Sequence, residues 1–258
     1  MNLKKMLPAA MLILLGSMSI ANAQFKINTK VVGAGADVVK AATLSDAQVS
    51  AMCKDYAKWI DEHNPVAPAG NKYGDRLKKL TSKHTKESGL DLNFKALLVK
   101  DVNAFALADG SVRVFAGLMD IMTDDEILGI IGHEVGHVKN KDSKDAMRTA
   151  YMSSAARKAA GSQGGAVGAL SDSEYGALGE ALANAQFSQK QEKAADDNGF
   201  EFLKDNKYDV SAMASAFRKL AALSGGSSGK SQIMSSHPDS EKRAERMDKK
   251  AKALADKK

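Results

Sequence analysis

Ile130-Ile131-Gly132-His133-Glu134-Val135-Gly136-His137 stands near the middle of a 258-residue chain and decides how the rest is read. Its two histidines are four residues apart in a segment that reads as a helix. At about 100° per residue, positions i and i+4 lie roughly 40° apart on one face, so both imidazoles can reach one ion. Glu134 falls beside them. This H-E-x-x-H spacing brings two zinc ligands and a working carboxylate together. A chance match among ordinary polar helix residues is the alternative, and a third ligand elsewhere in the chain separates the two.

Thr123-Asp124-Asp125-Glu126 is a capping box that starts this helix, with three acids in the first turn where the helix dipole favours them. Gly129, Gly132 and Gly136 each cost up to about 1 kcal/mol relative to alanine. Close packing of a neighbour, a metal, or both must offset that cost. Upstream the period changes to two, and residues 94–99, 104–107 and 111–115 read as short strands. Asp109-Gly110 is a hairpin turn between the last two. A small antiparallel sheet is therefore expected before the histidine helix, with one or two helical turns at 117–122.

Ser45-Asp46-Ala47-Gln48 is another capping box, opening a helix on which Val49, Met52, Cys53, Tyr56 and Ile60 share the buried face. Cys53 reads there as a core thiol rather than a nucleophile. Pro65 and Pro68 mark a loop, and a second helix carries Tyr73, Leu77 and Leu80. His84 continues that stripe as a structural histidine, and His63 reads as a loop residue.

Beyond the motif, residues 141–160 look helical but poorly amphipathic. A Gly/Ser/Gln-rich break follows at 161–168, read as a solvated connection, with a lid or partner-binding role for this region as the alternative. One long helical stretch is expected from 175 to about 204. On it Glu192 and Asp196 are four apart and share a face. Two like charges so stacked repel on a solvated helix, but a cation and an imidazole N–H nearby turn the repulsion into attraction. On that reading Glu192 is the third metal ligand and Asp196 orients a ligand imidazole. A further helix at 209–223 turns Met213, Phe217 and Leu220 inward, and a loop at 225–230 leads to His237-Pro238. The last helix, 239–258, holds eight Lys/Arg against five acids and reads as solvated.

The first 23 residues are of another kind: Lys4 and Lys5, an apolar run from Leu7 to Leu15, and Ala21-Asn22-Ala23. That is a signal peptide, too short to cross a bilayer comfortably, and no other stretch reaches about 18 apolar residues. Export to a Gram-negative periplasm is expected, with no transmembrane segment left after cleavage and a loosely held arm over 24–44. Losing Lys4 and Lys5 takes the formal charge from +6 to +4. So modest and dispersed an excess argues against a nucleic-acid partner. Cys53 is the only cysteine, so no internal disulfide can form and core packing, with any metal, must hold the fold.

Residues 131–137, Ser188-x-x-x-Glu192-x-x-Ala195-Asp196 and His237-Pro238 together resemble the HtpX and CAAX prenyl endopeptidase family of gluzincin metallopeptidases. The likeness is greatest to its soluble, single-domain bacterial envelope members, and it extends to residues 101–106 and 117–120. The resemblance implies an α+β, mainly helical zincin fold in one domain over 45–258, with the small sheet packed on the H-E-x-x-H helix. It implies one zinc ion per chain on His133, His137 and Glu192, with Glu134 as general base and Asp196 supporting His133. Asn103 and Ala104 are then candidate contacts on an edge strand that holds an extended peptide. His237 is the first candidate to stabilise the oxyanion and Arg243 the second, a structural role for His237 being the alternative. The chain departs from the family pattern at Gln189 and Lys193, and it lacks the lipid-modified cysteine of some envelope members. Unfolded or extended polypeptides are the expected substrates, in envelope quality control. A chaperone-like binder of unfolded proteins and a metal hydrolase of non-peptide bonds are the alternatives. Nothing in the sequence bears on oligomeric state.

Overall fold

The computed structural model describes residues 44–87, 89–161, 170–224, 233 and 237–257. The expected signal peptide and arm, residues 1–43, and nearly all of the 161–168 and 225–230 segments lie outside the described residues.

Helix α1 (Asp46–His63) starts at the Ser45/Gln48 capping box and buries Val49, Cys53, Tyr56 and Ile60. His63 is its last residue, not a loop residue, and its ring stacks on Trp59 one turn back. Helix α2 (Lys72–Thr81) follows the proline loop. His84 lies just beyond it, buried against Phe202 with its Nε2 2.9 Å from the Tyr208 hydroxyl, a structural histidine. A small hairpin, β1 (Lys86–Glu87) with β2 (Leu90–Asp91), comes next.

The main sheet comprises β3 (Asn93–Leu97), β4 (Ala104–Ala106) and β5 (Ser111–Phe115) in the order β3-β5-β4. The β4–β5 hairpin is antiparallel as expected. The sheet is nevertheless mixed, because β5 lies between β3 and β4 and pairs with β3 in parallel. Every residue of β5 is buried, as suits a central strand covered on both faces. Alternation sorts its neighbours: Ala104, Ala106, Val112 and Val114 join the core under the H-E-x-x-H helix, while Phe105 and Phe115 join the core around α1. On the α1 side, the buried Arg113 grips Asp61 of α1 with Nε and Nη2, at 2.7 and 2.9 Å. Val66 bridges to Leu97 and covers the outer edge of β3. Among the described residues this leaves β4 as the open edge.

After the short helix α3 (Ala116–Ile121), the Thr123/Glu126 capping box opens α4 (Asp124–Lys139), the helix of the two histidines. Helix α5 (Asp142–Gly161) follows after only two residues. The continuous helix expected from 175 to 204 is instead two: α6 (Asp172–Ala183) and α7 (Gln189–Asp205). The break has a local cause. Ser188 is the N-cap of α7, with a full Ser188/Gln191 capping box that restarts the helix and sets Glu192 in its first turn.

The three glycines are explained by contact. A Cβ on Gly132 would stand 3.0 Å from the Gly199 Cα, and one on Gly136 would stand 3.0 Å from the Ala195 Cα, both on α7. Gly129 is pressed in the same way by Met213 of α8 (Ala212–Ser224). The backbones of α4 and α7 thus approach as only small residues permit. Helix α9 (Ser240–Ala255) is not simply solvated: it buries Ser240, Arg243, Ala244 and Met247. No helix among the described residues is long and apolar enough to cross a membrane.

Candidate metal centre

His133 and His137 project from consecutive turns of α4, and Glu192 meets them from the first turn of α7. His133 Nε2 and His137 Nε2 are 3.2 Å apart. Glu192 Oε1 is 3.4 Å from His137 Nε2, and Oε2 is 3.7 Å from His133 Nε2. His237 joins them, its Nδ1 2.8 Å from Glu192 Oε1. Ligand atoms of all four residues lie within 4.8 Å of one another, and all four residues are buried.

The orienting carboxylates show what this cluster suits. His133 Nδ1 lies 3.0 Å from Asp196 Oδ1, and His137 Nδ1 lies 2.9 Å from Asp142 Oδ2. A carboxylate accepts the imidazole proton, so each Nδ1 carries N–H and each Nε2 can offer its lone pair to a metal ion. Two lone pairs facing at 3.2 Å cannot hydrogen-bond to each other. Glu134 Oε1 and Glu192 Oε2, both buried, accept no hydrogen bond among the described residues. Arg243 Nη1 stands 2.7 Å from Glu192 Oε2 without the alignment of one. Converging acceptors of this kind fit a divalent cation.

The charge balance agrees. Burial, helped by the Arg243 charge, holds His133 well below the usual imidazole range, in the neutral form a ligand needs. Burial opposes a charge on His137 too, but Asp142 and Glu192 outweigh it and push its pKa up to about 9. Positive charge is thus favoured beside those carboxylates. Burial would lift the Glu192 carboxyl, yet the His137 and His237 imidazoles beside it hold it well below the usual carboxylate range. Burial raises the Glu134 pKa.

Asp196 receives the Arg243 guanidinium, with Nη2 at 2.6 Å, and Arg243 also lies 4.1 Å over the Phe217 ring. The second oxyanion candidate is thereby committed to Asp196 and Glu192. His237 Nε2, in contrast, faces Glu134 Oε1 at 3.7 Å. Both His237 and Glu134 line a cleft of about 410 Å³, whose far wall is residues 103–107 of β4 and its flanks. Asn103 and Ala104 therefore lie on the same cleft as Glu134. Gln189 and Lys193 are exposed on α7.

Three neighbours were not singled out from the sequence. Asp142 orients His137, Gln191 bonds Asp142, and Phe187 stacks on His137 with 4.0 Å between ring centroids. The Ser-x-x-Gln pattern at 188–191 is the same signal as at 45–48 and could have marked Gln191. No sequence signal marks Asp142, which reaches His137 only through the α4–α5 turn.

Residues 74–251 match Peptidase family M48. Metalloprotease LoiP of Escherichia coli (strain K12) is 42% identical over 212 residues, covering 82% of this chain and 83% of its own. Metalloprotease YcaL of the same organism is 39% identical, covering 83% and 84%. A protease HtpX homolog of Salinibacter ruber is 28% identical over 58% of this chain. With this centre on α4 and α7 and a family match across most of its length, the chain belongs to peptidase family M48.

Proposed function

We propose that the protein is a zinc-dependent endopeptidase of the cell envelope that cleaves unfolded or extended polypeptides. The observation that carries this reading is the buried cluster of His133, His137, Glu192 and His237 beside Glu134, at the wall of a cleft bounded by an open sheet edge.

His133, His137 and Glu192 would hold the ion, with Asp196 and Asp142 fixing the two rings. When bound, zinc supplies a Lewis acid that polarises a scissile carbonyl and favours attack by water near neutral pH. Glu134 Oε1, buried and accepting no hydrogen bond among the described residues, would take a proton from the attacking water. It then delivers that proton to the leaving amine as the C–N bond breaks. Burial raises its pKa above the ordinary carboxylate value, which favours holding the proton between the two transfers. His237, whose Nε2 faces the cleft 3.7 Å from Glu134 Oε1, is the candidate to stabilise the carbonyl oxygen as it gains negative charge.

The sheet edge supplies the substrate's grip. Asn103 O accepts from Phe115 N, and Leu107 N donates to Ser111 O, so the odd-numbered residues along β4 and its flanks spend their backbone groups on the β5 side. Ala104 and Ala106 alternate with them and turn their N–H and C=O to the outer edge. A substrate in extended form can pair there as an added strand, with little demand on its sequence. An apolar run ending in Ala-Asn-Ala at residue 23 supports envelope location.

The test is digestion of unfolded casein by the purified chain and by Glu134→Gln, with zinc measured in both. Cleavage by the wild type alone, with zinc in both, is expected. Bound zinc without cleavage by the wild type would favour a binding role over a peptidase, and equal cleavage by the variant would remove Glu134 from the chemistry.

A further inference from the structure

Asp142 follows His137 by five residues, yet its side chain returns beneath the imidazole. Only Asn140 and Lys141 separate α4 from α5, and Lys141 takes φ 67°, the left-handed region that crowds a side chain. Lys141 N bonds back to Val138 O, and Lys141 O accepts from Asp145 N as the first turn of α5 forms. A lysine is held in an unfavourable conformation at the one point that aims Asp142 at the centre.

Both Asp142 oxygens are used. Oδ2 is 2.9 Å from His137 Nδ1, and Oδ1 accepts from Gln191 Nε2 at 2.9 Å. The orientation of the Gln191 amide is fixed from its other end. Its Oε1 accepts from Ser188 N at 2.9 Å and from Ser188 Oγ at 2.7 Å, which leaves Nε2 to donate. Gln191 immediately precedes Glu192. An unbroken path of hydrogen bonds therefore runs from the N-cap of α7, through Gln191 and Asp142, to the ring of His137.

We propose that Asp142 and Gln191 form a positioning relay, which holds His137 and Glu192 in one ligand geometry by tying the α7 cap to the α4 histidine. The inference rests on the metal site proposed above. Glycine contacts set how closely α4 and α7 approach; the relay sets the ring of His137 and the first turn of α7 relative to each other. It also explains the residue type. Two donors converge on residue 142, and a carboxylate accepts from both, whereas an asparagine amide offers one acceptor and meets the other donor with its own N–H.

Asp142→Asn and Gln191→Glu test the relay in the full chain. Glutamate serves as well as glutamine in the capping box, so Gln191→Glu keeps the α7 cap and changes what Asp142 meets. Zinc affinity is read by competition with a chromogenic chelator, folding by thermal melting in zinc-free buffer, and casein cleavage with and without excess zinc. Both variants are expected to bind zinc about 10- to 100-fold more weakly. Their zinc-free melting should stay close to wild type, and excess zinc should restore cleavage. Should Asp142→Asn fail to fold, Gln191→Glu decides alone. Wild-type affinity in the folded variants, or a loss of cleavage that zinc does not rescue, overturns the relay while leaving the metal site standing. A wild-type chain that takes up no zinc overturns both.

Discussion

Gly132→Ala tests the closeness of α4 and α7 most sharply. In an isolated helix the change should help, since alanine is favoured over glycine by about 1 kcal/mol. Here the new Cβ would stand 3.0 Å from Gly199 Cα, 3.0 Å from Phe202 Cδ1 and 3.2 Å from Phe202 Cβ. One of these is backbone on the facing helix, so α7 must give by a few tenths of an ångström. Overpacking of this kind costs about 1–3 kcal/mol. The net expectation is a loss of up to about 2 kcal/mol, or roughly 4–8 °C in melting temperature for a chain of this size. The metal centre should suffer more than the fold. His133 lies one residue from Gly132 and Glu192 lies on α7, and ligand distances tolerate only about ±0.2 Å. Melting of the zinc-free protein and a chelator competition read the two effects separately. Gly176→Ala is the control, because nothing lies within 4 Å of its Cβ and the propensity gain of up to about 1 kcal/mol should appear intact. If Gly132→Ala gains stability like Gly176→Ala and binds zinc normally, the close approach of the helices is not what holds the site.

Two further outcomes follow from the geometry. His237→Ala should keep its zinc yet lose about 100-fold or more in kcat, as for a removed oxyanion donor; loss of the zinc would instead make His237 a ligand, as its 2.8 Å approach to Glu192 allows. Burial pushes the Asp61 carboxyl up, but Arg113 and Lys95 outweigh it and hold its pKa below the usual carboxylate value. That stabilisation is complete above the unfolded value of about 3.9 and is lost as pH falls through the lower folded value. Asp61→Asn should therefore cost about 3 kcal/mol at pH 7, since it leaves the buried Arg113 without its partner. The gap from wild type should close below about pH 4, and a gap unchanged down to pH 2 would contradict the assignment.

The residues that proved legible in sequence are those whose signal is local. The capping boxes at 45–48 and 123–126, the four-residue spacing of His133 and His137, and that of Glu192 and Asp196 all depend on one helix each. The cost of three glycines in one helix was also legible, and it called for a close neighbour, a metal or both without saying which element that neighbour is. What sequence did not show depends on elements meeting. β3 lies beside β5 rather than β4 and pairs with it in parallel, a choice of neighbour that no strand announces by itself. Arg243 was singled out as an oxyanion candidate, but its commitment to Asp196 and its packing on Phe217 depend on where the last helix docks. The break at 184–188 is different in kind: the capping box at Ser188 was readable, but a run of helix-forming residues on both sides obscured it.

The central claim is that two helices share one zinc ion, and its most direct measurement is metal content per chain. Wild type, Glu134→Gln and Glu192→Ala should be purified identically and analysed for zinc by mass spectrometry. About one zinc per chain is expected in the first two. Glu192→Ala should have almost none, though folded. One zinc per chain in folded Glu192→Ala would contradict it and return the search for a third ligand to the rest of the chain.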